Sequence, residues 1–228
     1  MILLFLLFQS FTGQLWQENA PIYGKTLSHP FLQGLTDGSL PQDRFRFYLV
    51  QDTLYLRAFG QALNILAAKS PRREWAVILA QHSIDAIQEE REMHEKILLS
   101  YGVTPAETLR AVMAPTNRAY VNHLFASVEK LSFTEGLAAM LPCYWVYWEV
   151  GKELKKKGSK DPAYQRWIDQ YAAEDYGKAV QAALEMMNAA AGGASAAERA
   201  SARELFTLSA RYEYMFWDMA WRLERWEP

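Results

Sequence analysis

Apolar residues recur at intervals of three to four positions along almost the whole chain, and nowhere do they alternate long enough to suggest a strand. Proline punctuates this helical pattern. Leu40-Pro41, Ser70-Pro71, Thr104-Pro105 and Asp161-Pro162 each place proline at a helix start, where its missing N–H leaves no bond unmade. Thr104-Pro105-Ala106-Glu107, Ser132-Phe133-Thr134-Glu135 and Ser195-Ala196-Ala197-Glu198 have the spacing of a capping box. The pattern predicts about seven helices, over 12–28 (weak at Pro21), 41–68, 71–100, 105–129, 133–157, 162–188 and 196–225. His29-Pro30-Phe31 and Thr36-Asp37-Gly38-Ser39 break the chain between the first two, with His29 read as a cap. Gly192-Gly193 stops a helix before the Ser195 cap, so 189–195 reads as a turn rather than a linker. Short connections favour antiparallel neighbours. The expected architecture is an all-α helical bundle, a single domain over 12–228 preceded by an apolar extension over 1–11.

That extension, beginning MILLFLLFQS, has no Lys or Arg before its apolar run, is followed by no A-x-A site, and is too short to span a bilayer. It reads as an extra apolar turn or an early start codon, with a signal peptide as the weaker reading. The 228 residues, half of them apolar, suffice for one large core. A net charge of −2 with no basic run lacks the electrostatic footprint of nucleic-acid binding. The single cysteine excludes an internal disulfide and fits a reducing compartment, so a cytoplasmic protein is expected. Aromatics at 14%, with eight Trp and twelve Tyr, exceed the needs of packing and suggest a lined pocket or a subunit interface; an aromatic-rich core is the alternative.

Candidate chemistry centres on Ala138–Gly151, an apolar helical stretch holding Cys143. Pro142 removes a backbone donor beside Cys143 and should bend the helix, leaving room for a ligand. Cys143 and Tyr147 stand at i, i+4 on one face, so a thiol and a phenol point into one space. The bland reading of Cys143 is a small buried hydrophobe. In the second helix Tyr48, Asp52 and Tyr55 share a face, placing a carboxylate among aromatics; the alternative is a surface acid beside Arg57. The last helix repeats this with Tyr212, Glu213, Phe216 and Trp217, the alternative being a partner for Arg211 or Arg222. A carboxylate in low dielectric has a raised pKa and suits acid–base work near neutrality. Tyr120 and Tyr171, taken alone, read as core. His82/Asp85 and Glu90/His94 have spacings that metal sites use, yet the paired Glu-x-x-His of a di-iron bundle is missing and no metal is expected.

Several separated motifs resemble, in order, the TenA-type thiaminase II family. They are His29-Pro30-Phe31 with Gly34-Leu35 and Asp37-Gly38, Tyr48-Leu49-Val50-Gln51-Asp52 with Tyr55, Leu141-Pro142-Cys143-Tyr144-Trp145 with Tyr147 and Gly151, Trp167-Ile168 with Tyr171, and Tyr212-Glu213-Tyr214-Met215-Phe216-Trp217. The match covers about 12–226 and implies a haem-oxygenase-like fold. It implies a hydrolase of thiamin salvage that replaces the group on the exocyclic methylene of an aminopyrimidine with hydroxyl, in the branch that uses a cysteine. The resemblance makes Cys143 the nucleophile and Glu213 the acid–base residue, with Asp52 on the aminopyrimidine edge. It places Tyr120 in hydrogen-bonding support of the thiol, Tyr171 near a ring nitrogen, and Tyr55 and Tyr147 around the ring. It implies no cofactor, no membrane or nucleic-acid partner, and a homotetramer. The competing readings are a non-catalytic pyrimidine-binding or regulatory protein, and a haem- or metal-dependent oxidoreductase on the same fold.

Overall fold

The structure is a computed structural model that describes residues 10–227, apart from the side chains of 89–91. Residues 1–9, most of the apolar extension, and the Glu90 side chain lie outside the described residues. The described chain is helical and contains no strand. In order the helices are α1 (Phe11–Leu27), α2 (Pro30–Asp37), α3 (Gln42–Ala68), α4 (Arg73–Asp85), a π turn (Ala86–Glu90), α5 (Arg91–Ser100), α6 (Pro105–Arg110), α7 (Pro115–Lys130), α8 (Phe133–Lys155), α9 (Pro162–Tyr171), α10 (Glu174–Gly193) and α11 (Ala196–Arg222). No helix among the described residues is long and apolar enough to cross a membrane.

The stretch that is apolar on all sides becomes the centre of the bundle. Every residue of α8 from Gly136 to Tyr147 is buried, because a helix without a polar face must be covered all round. Its broadest packing is against α11, with α7, α9 and α10 on its other sides. The α8 helix starts on the predicted capping box, Ser132 accepting from Glu135 N–H and Glu135 accepting from Ser132 N–H. Thr104 and Glu107 form the second box in the same way. At Ser195 only half of the third forms. Ser195 Oγ accepts from Glu198 N–H at 3.1 Å, while the Glu198 carboxylate takes the Ser132 hydroxyl and ties the starts of α8 and α11 together.

The predicted helices are present, but several are divided. Pro115 starts a new helix within the predicted 105–129, because the residue before a proline disfavours helical backbone and Ala114 is extended. Within 162–188 the chain breaks after Tyr171 and restarts at Glu174, running on to Gly193. The predicted 71–100 is one helical run interrupted by the π turn, which shifts the facing of every residue after it. His29-Pro30 opens an additional helix where a simple break was expected: His29 Nδ1 accepts from Phe31 N–H at 3.1 Å, capping α2, and left-handed Gly38 ends it.

Two joints set the geometry around the bundle centre. Gln51 on α3 accepts from Ala114 N–H at 2.9 Å, and Asn117 Nδ2 donates to the Gln51 carbonyl oxygen at 2.8 Å, docking the start of α7 on α3. Gly151 lets α8 approach the end of α9 so closely that a Cβ there would stand 2.6 Å from the Tyr171 carbonyl carbon.

Candidate active site

Five helices bring the seven candidate residues together. Asp52 and Tyr55 come from α3, Tyr120 from α7, Cys143 and Tyr147 from α8, Tyr171 from α9 and Glu213 from α11, and all are buried. A cavity of about 270 Å³ opens beside them, lined by Asp52, Cys143, Tyr147 and Tyr171 among others. Tyr55, Tyr120 and Glu213 are buried and are not among the residues lining that cavity.

Asp52 is 2% exposed and accepts from the Tyr48 hydroxyl at 3.0 Å. Tyr48 also lies 3.3 Å from the Tyr147 hydroxyl, linking the carboxyl to the cavity wall. Burial pushes the Asp52 pKa up to about 7, while hydrogen bonds from Tyr48 and Tyr171 pull it back. The surface alternative fails, since Arg57 points to solvent and Asp52 does not.

Glu213, 1% exposed, accepts from the Tyr120 hydroxyl at 2.6 Å. Burial raises its pKa to about 8, with the Tyr120 hydrogen bond opposing the shift and the Asp52 charge adding to it. Arg222, its alternative partner, instead pairs with Asp218 and Glu224, and Arg211 is exposed. Each acid therefore sits where neutral and ionised forms are both accessible near neutral pH. By contrast, burial holds the Tyr55, Tyr120 and Tyr147 hydroxyls well above the usual phenol range, so they donate hydrogen bonds rather than act as bases.

Cys143 is buried, as its bland reading required, and also lines the cavity. The Tyr120 hydroxyl donates to Glu213, and both Tyr120 and Tyr55 lie close enough to Cys143 for the sulfur to contribute to the upward shift of their hydroxyls. Tyr176 donates toward the backbone oxygens of Cys143 and Tyr144 at 3.4 and 3.3 Å, holding this turn of α8 in place beside Pro142. Ring contacts complete the wall: Tyr147 lies 4.9 Å from Tyr171 and 5.0 Å from Trp217, and Tyr55 lies 5.1 Å from Tyr120.

Sequence reasoning missed several residues here. Phe59, Tyr144 and Tyr176 line the cavity, as does His82, which was weighed only as half of a metal pair and whose Nδ1 is 3.2 Å from the Tyr144 hydroxyl. His94, weighed with Glu90, lies instead behind Asp52, its Nε2 3.4 Å from Oδ2. The signal for His94 was its place on an apolar stripe with Met93, Ile97 and Leu98, but what it would meet there was invisible. Among the described residues no three His, Cys, Asp or Glu side chains gather as metal ligands would. The cavity is walled by aromatic rings, with a thiol and one carboxyl, Asp52, on its lining and a second buried carboxyl, Glu213, near Asp52.

The sequence matches the TENA/THI-4/PQQC family over residues 16–223. It is 35% identical over 198 residues to a protein of Bacillus subtilis (strain 168) named aminopyrimidine aminohydrolase, covering 87% of this chain and 84% of that one. A solved structure titled as a TenA homologue from P. horikoshii OT3 superposes with a TM-score of 0.86 at 28% identity, covering 93% of this chain and 99% of the other. A Shewanella denitrificans domain, described as having a heme oxygenase-like fold, superposes at 0.72 with 14% identity over 92% of this chain and 91% of that one. At that identity the likeness concerns fold alone, and the expected haem-oxygenase-like architecture is the one observed.

Proposed function

The chain belongs to the TENA/THI-4/PQQC family, and on that premise we propose that it is an aminopyrimidine hydrolase of thiamin salvage, a thiaminase II. The observation that carries this reading is a thiol and two buried carboxyls, with pKa values near 7 and 8, around one small aromatic-walled cavity. The substrates are 4-amino-5-aminomethyl-2-methylpyrimidine and thiamin, and the product of either is the hydroxymethylpyrimidine. Tyr147 and Tyr171 enclose the ring, with Tyr55 and Tyr120 behind, and Asp52 takes the aminopyrimidine edge.

Direct displacement at the exocyclic methylene is hard in water. In the proposed route the Cys143 sulfur bonds to C6 of the ring while Glu213 delivers a proton toward a ring nitrogen, breaking the ring's aromaticity. The electron pair then expels the amine or thiazole from the methylene, the amine leaving with a proton. Water adds to the methylene carbon, Cys143 departs with its bonding pair, and the ring regains aromaticity. No step consumes an oxidant or a metal. An unperturbed thiol has a pKa of about 8.5, so the Tyr55 hydroxyl beside it has a natural task in steadying the thiolate.

The proposal extends to a cytoplasmic homotetramer whose catalytic unit is the single domain 12–228. Exposed Leu109, Val112 and Trp226 support association, because water-facing large apolar groups are what an interface covers. The deciding experiment measures hydroxymethylpyrimidine release from both substrates by native protein and Cys143→Ala. The expected result is loss of turnover by at least about 1,000-fold in the variant with pyrimidine binding retained. Turnover near the native rate in Cys143→Ala would sink the nucleophile assignment. Binding without release by the native protein would make this a pyrimidine-binding protein.

A further inference from the structure

His94 lies wholly buried on α5, directly behind the Asp52 carboxyl, and no role has been found for it so far. Its hydrogen-bond surroundings determine which ring nitrogen carries the proton. Thr53 donates its only hydroxyl hydrogen to the Leu49 carbonyl oxygen at 2.9 Å, one turn back along α3. The Thr53 oxygen is therefore left as an acceptor toward His94 Nδ1, 3.2 Å away, and Nδ1 must supply the hydrogen. With Nδ1 protonated in a neutral ring, Nε2 is a bare lone pair, and it stands 3.4 Å from Asp52 Oδ2. Among the described residues Nε2 makes no other hydrogen bond, and Asp52 Oδ2 stands 3.4 Å from it. Burial also keeps this ring from charging, pulling its pKa down to about 3.

We infer that His94 is a positioning residue that accepts the Asp52 proton on Nε2, favouring the protonated carboxyl and turning its hydrogen away from the cavity. A lone pair facing an ionised carboxylate would be repulsive, and a shared proton removes that conflict. Tyr48 and His94 both meet Oδ2, and Tyr171 adds a hydrogen bond to the same carboxyl from the cavity wall, so the acid is held on several sides where an aminopyrimidine edge would meet it. The groups facing Asp52 are Tyr48 on its own helix, Tyr171 on α9, His94 on α5, and, at longer range, Tyr147 on α8 and Glu213 on α11. None of these places a positive charge there. The consequence for substrate rests on the reading of Asp52 above, but the proton placement does not.

The test reads the proton directly. Long-range 1H–15N correlation on native protein labelled at histidine nitrogen distinguishes the two neutral tautomers, and loss of one of the four histidine signals in His94→Gln assigns the ring. The expected pattern for His94 is Nδ1–H, unchanged between about pH 6 and 8. An Nε2–H pattern, or titration to imidazolium in that range, overturns the inference whether or not the protein is a hydrolase. Kinetics supply the second arm. His94→Gln, whose amide oxygen can replace the Nε2 acceptor, should keep KM for the aminopyrimidine within about threefold, whereas His94→Leu should raise it about tenfold with a smaller change in kcat. In His94→Leu the Asp52-linked midpoint of the pH profile moves down, because the protonated carboxyl has lost its acceptor. An upward shift means that Nε2 was a donor and overturns the proposal, as does equal loss in both variants.

Discussion

Asp52 and Glu213 arise from the same sequence pattern, one acid on an otherwise apolar and aromatic helical stripe, yet they are seated differently. Asp52 lines the cavity and is met by Tyr48, Tyr171 and His94, whereas Glu213 is not part of that lining, and its short bond from Tyr120 is the principal opposition to burial. A carboxyl at the wall with several fixed partners is suited to orient a ligand. One with a single strong donor is suited to hold and release a proton. Burial is the leading cause of both pKa shifts, so the two acids differ in their partners rather than in the source of the shift.

Substitution at the two acids breaks this comparison most directly. Glu213→Gln should lower kcat about 1,000-fold with KM changed little, since it removes a proton donor from the reacting centre. Asp52→Asn should cost less, about 100-fold in kcat/KM, with the loss shared between KM and kcat. Steady-state kinetics with the aminomethyl substrate check both, and the reversed pattern would exchange the roles of the two residues.

A smaller effect is expected at Tyr120. Tyr120→Phe should lower activity about tenfold. It should also shift the Glu213-linked limb of the pH–rate profile to higher pH, because the hydroxyl that favours the ionised carboxylate is gone. An unmoved limb would assign that limb to another group.

The smallest expected effect is on stability. Both carboxyls have raised pKa values in the fold, so the native state holds protons that the unfolded chain releases, and stability declines as pH rises toward 7 and 8. Buried histidines with lowered pKa values work in the opposite direction, an effect that fades as the unfolded histidines lose their protons between about pH 6.5 and 7.5. Between about pH 7 and 8 native stability should therefore fall with pH, by at most about 1.4 kcal/mol per unit for each carboxyl still titrating. In that window Glu213→Gln should show a flatter Tm profile than the native protein. An identical slope would mean that Glu213 is ionised throughout.

Most helix starts were legible because their causes are local: a proline at the first helical position, or a Ser or Thr three residues ahead of a Glu. The faces holding Asp52, Cys143 and Glu213 were equally legible, since an acid or a thiol in an apolar stripe stands out at helical spacing. The division at Pro115 followed a local rule that applies there as it does at Pro105. The π turn at 86–90 left no local mark in the sequence, so the facing of the residues after it, His94 among them, was not legible.

What the amino-acid sequence determined by itself was the helical content, the wholly apolar central helix and which residues had unusual chemistry for their faces. Each follows from interactions within a few residues of chain, where spacing is set by the helix repeat. Only the tertiary structure decided that the Tyr120 hydroxyl bonds Glu213, that Tyr55 and Tyr120 both come close to Cys143, and that His94 meets Asp52. Those pairings join residues on different helices, and their distances depend on how the helices pack around α8, a quantity no local spacing encodes.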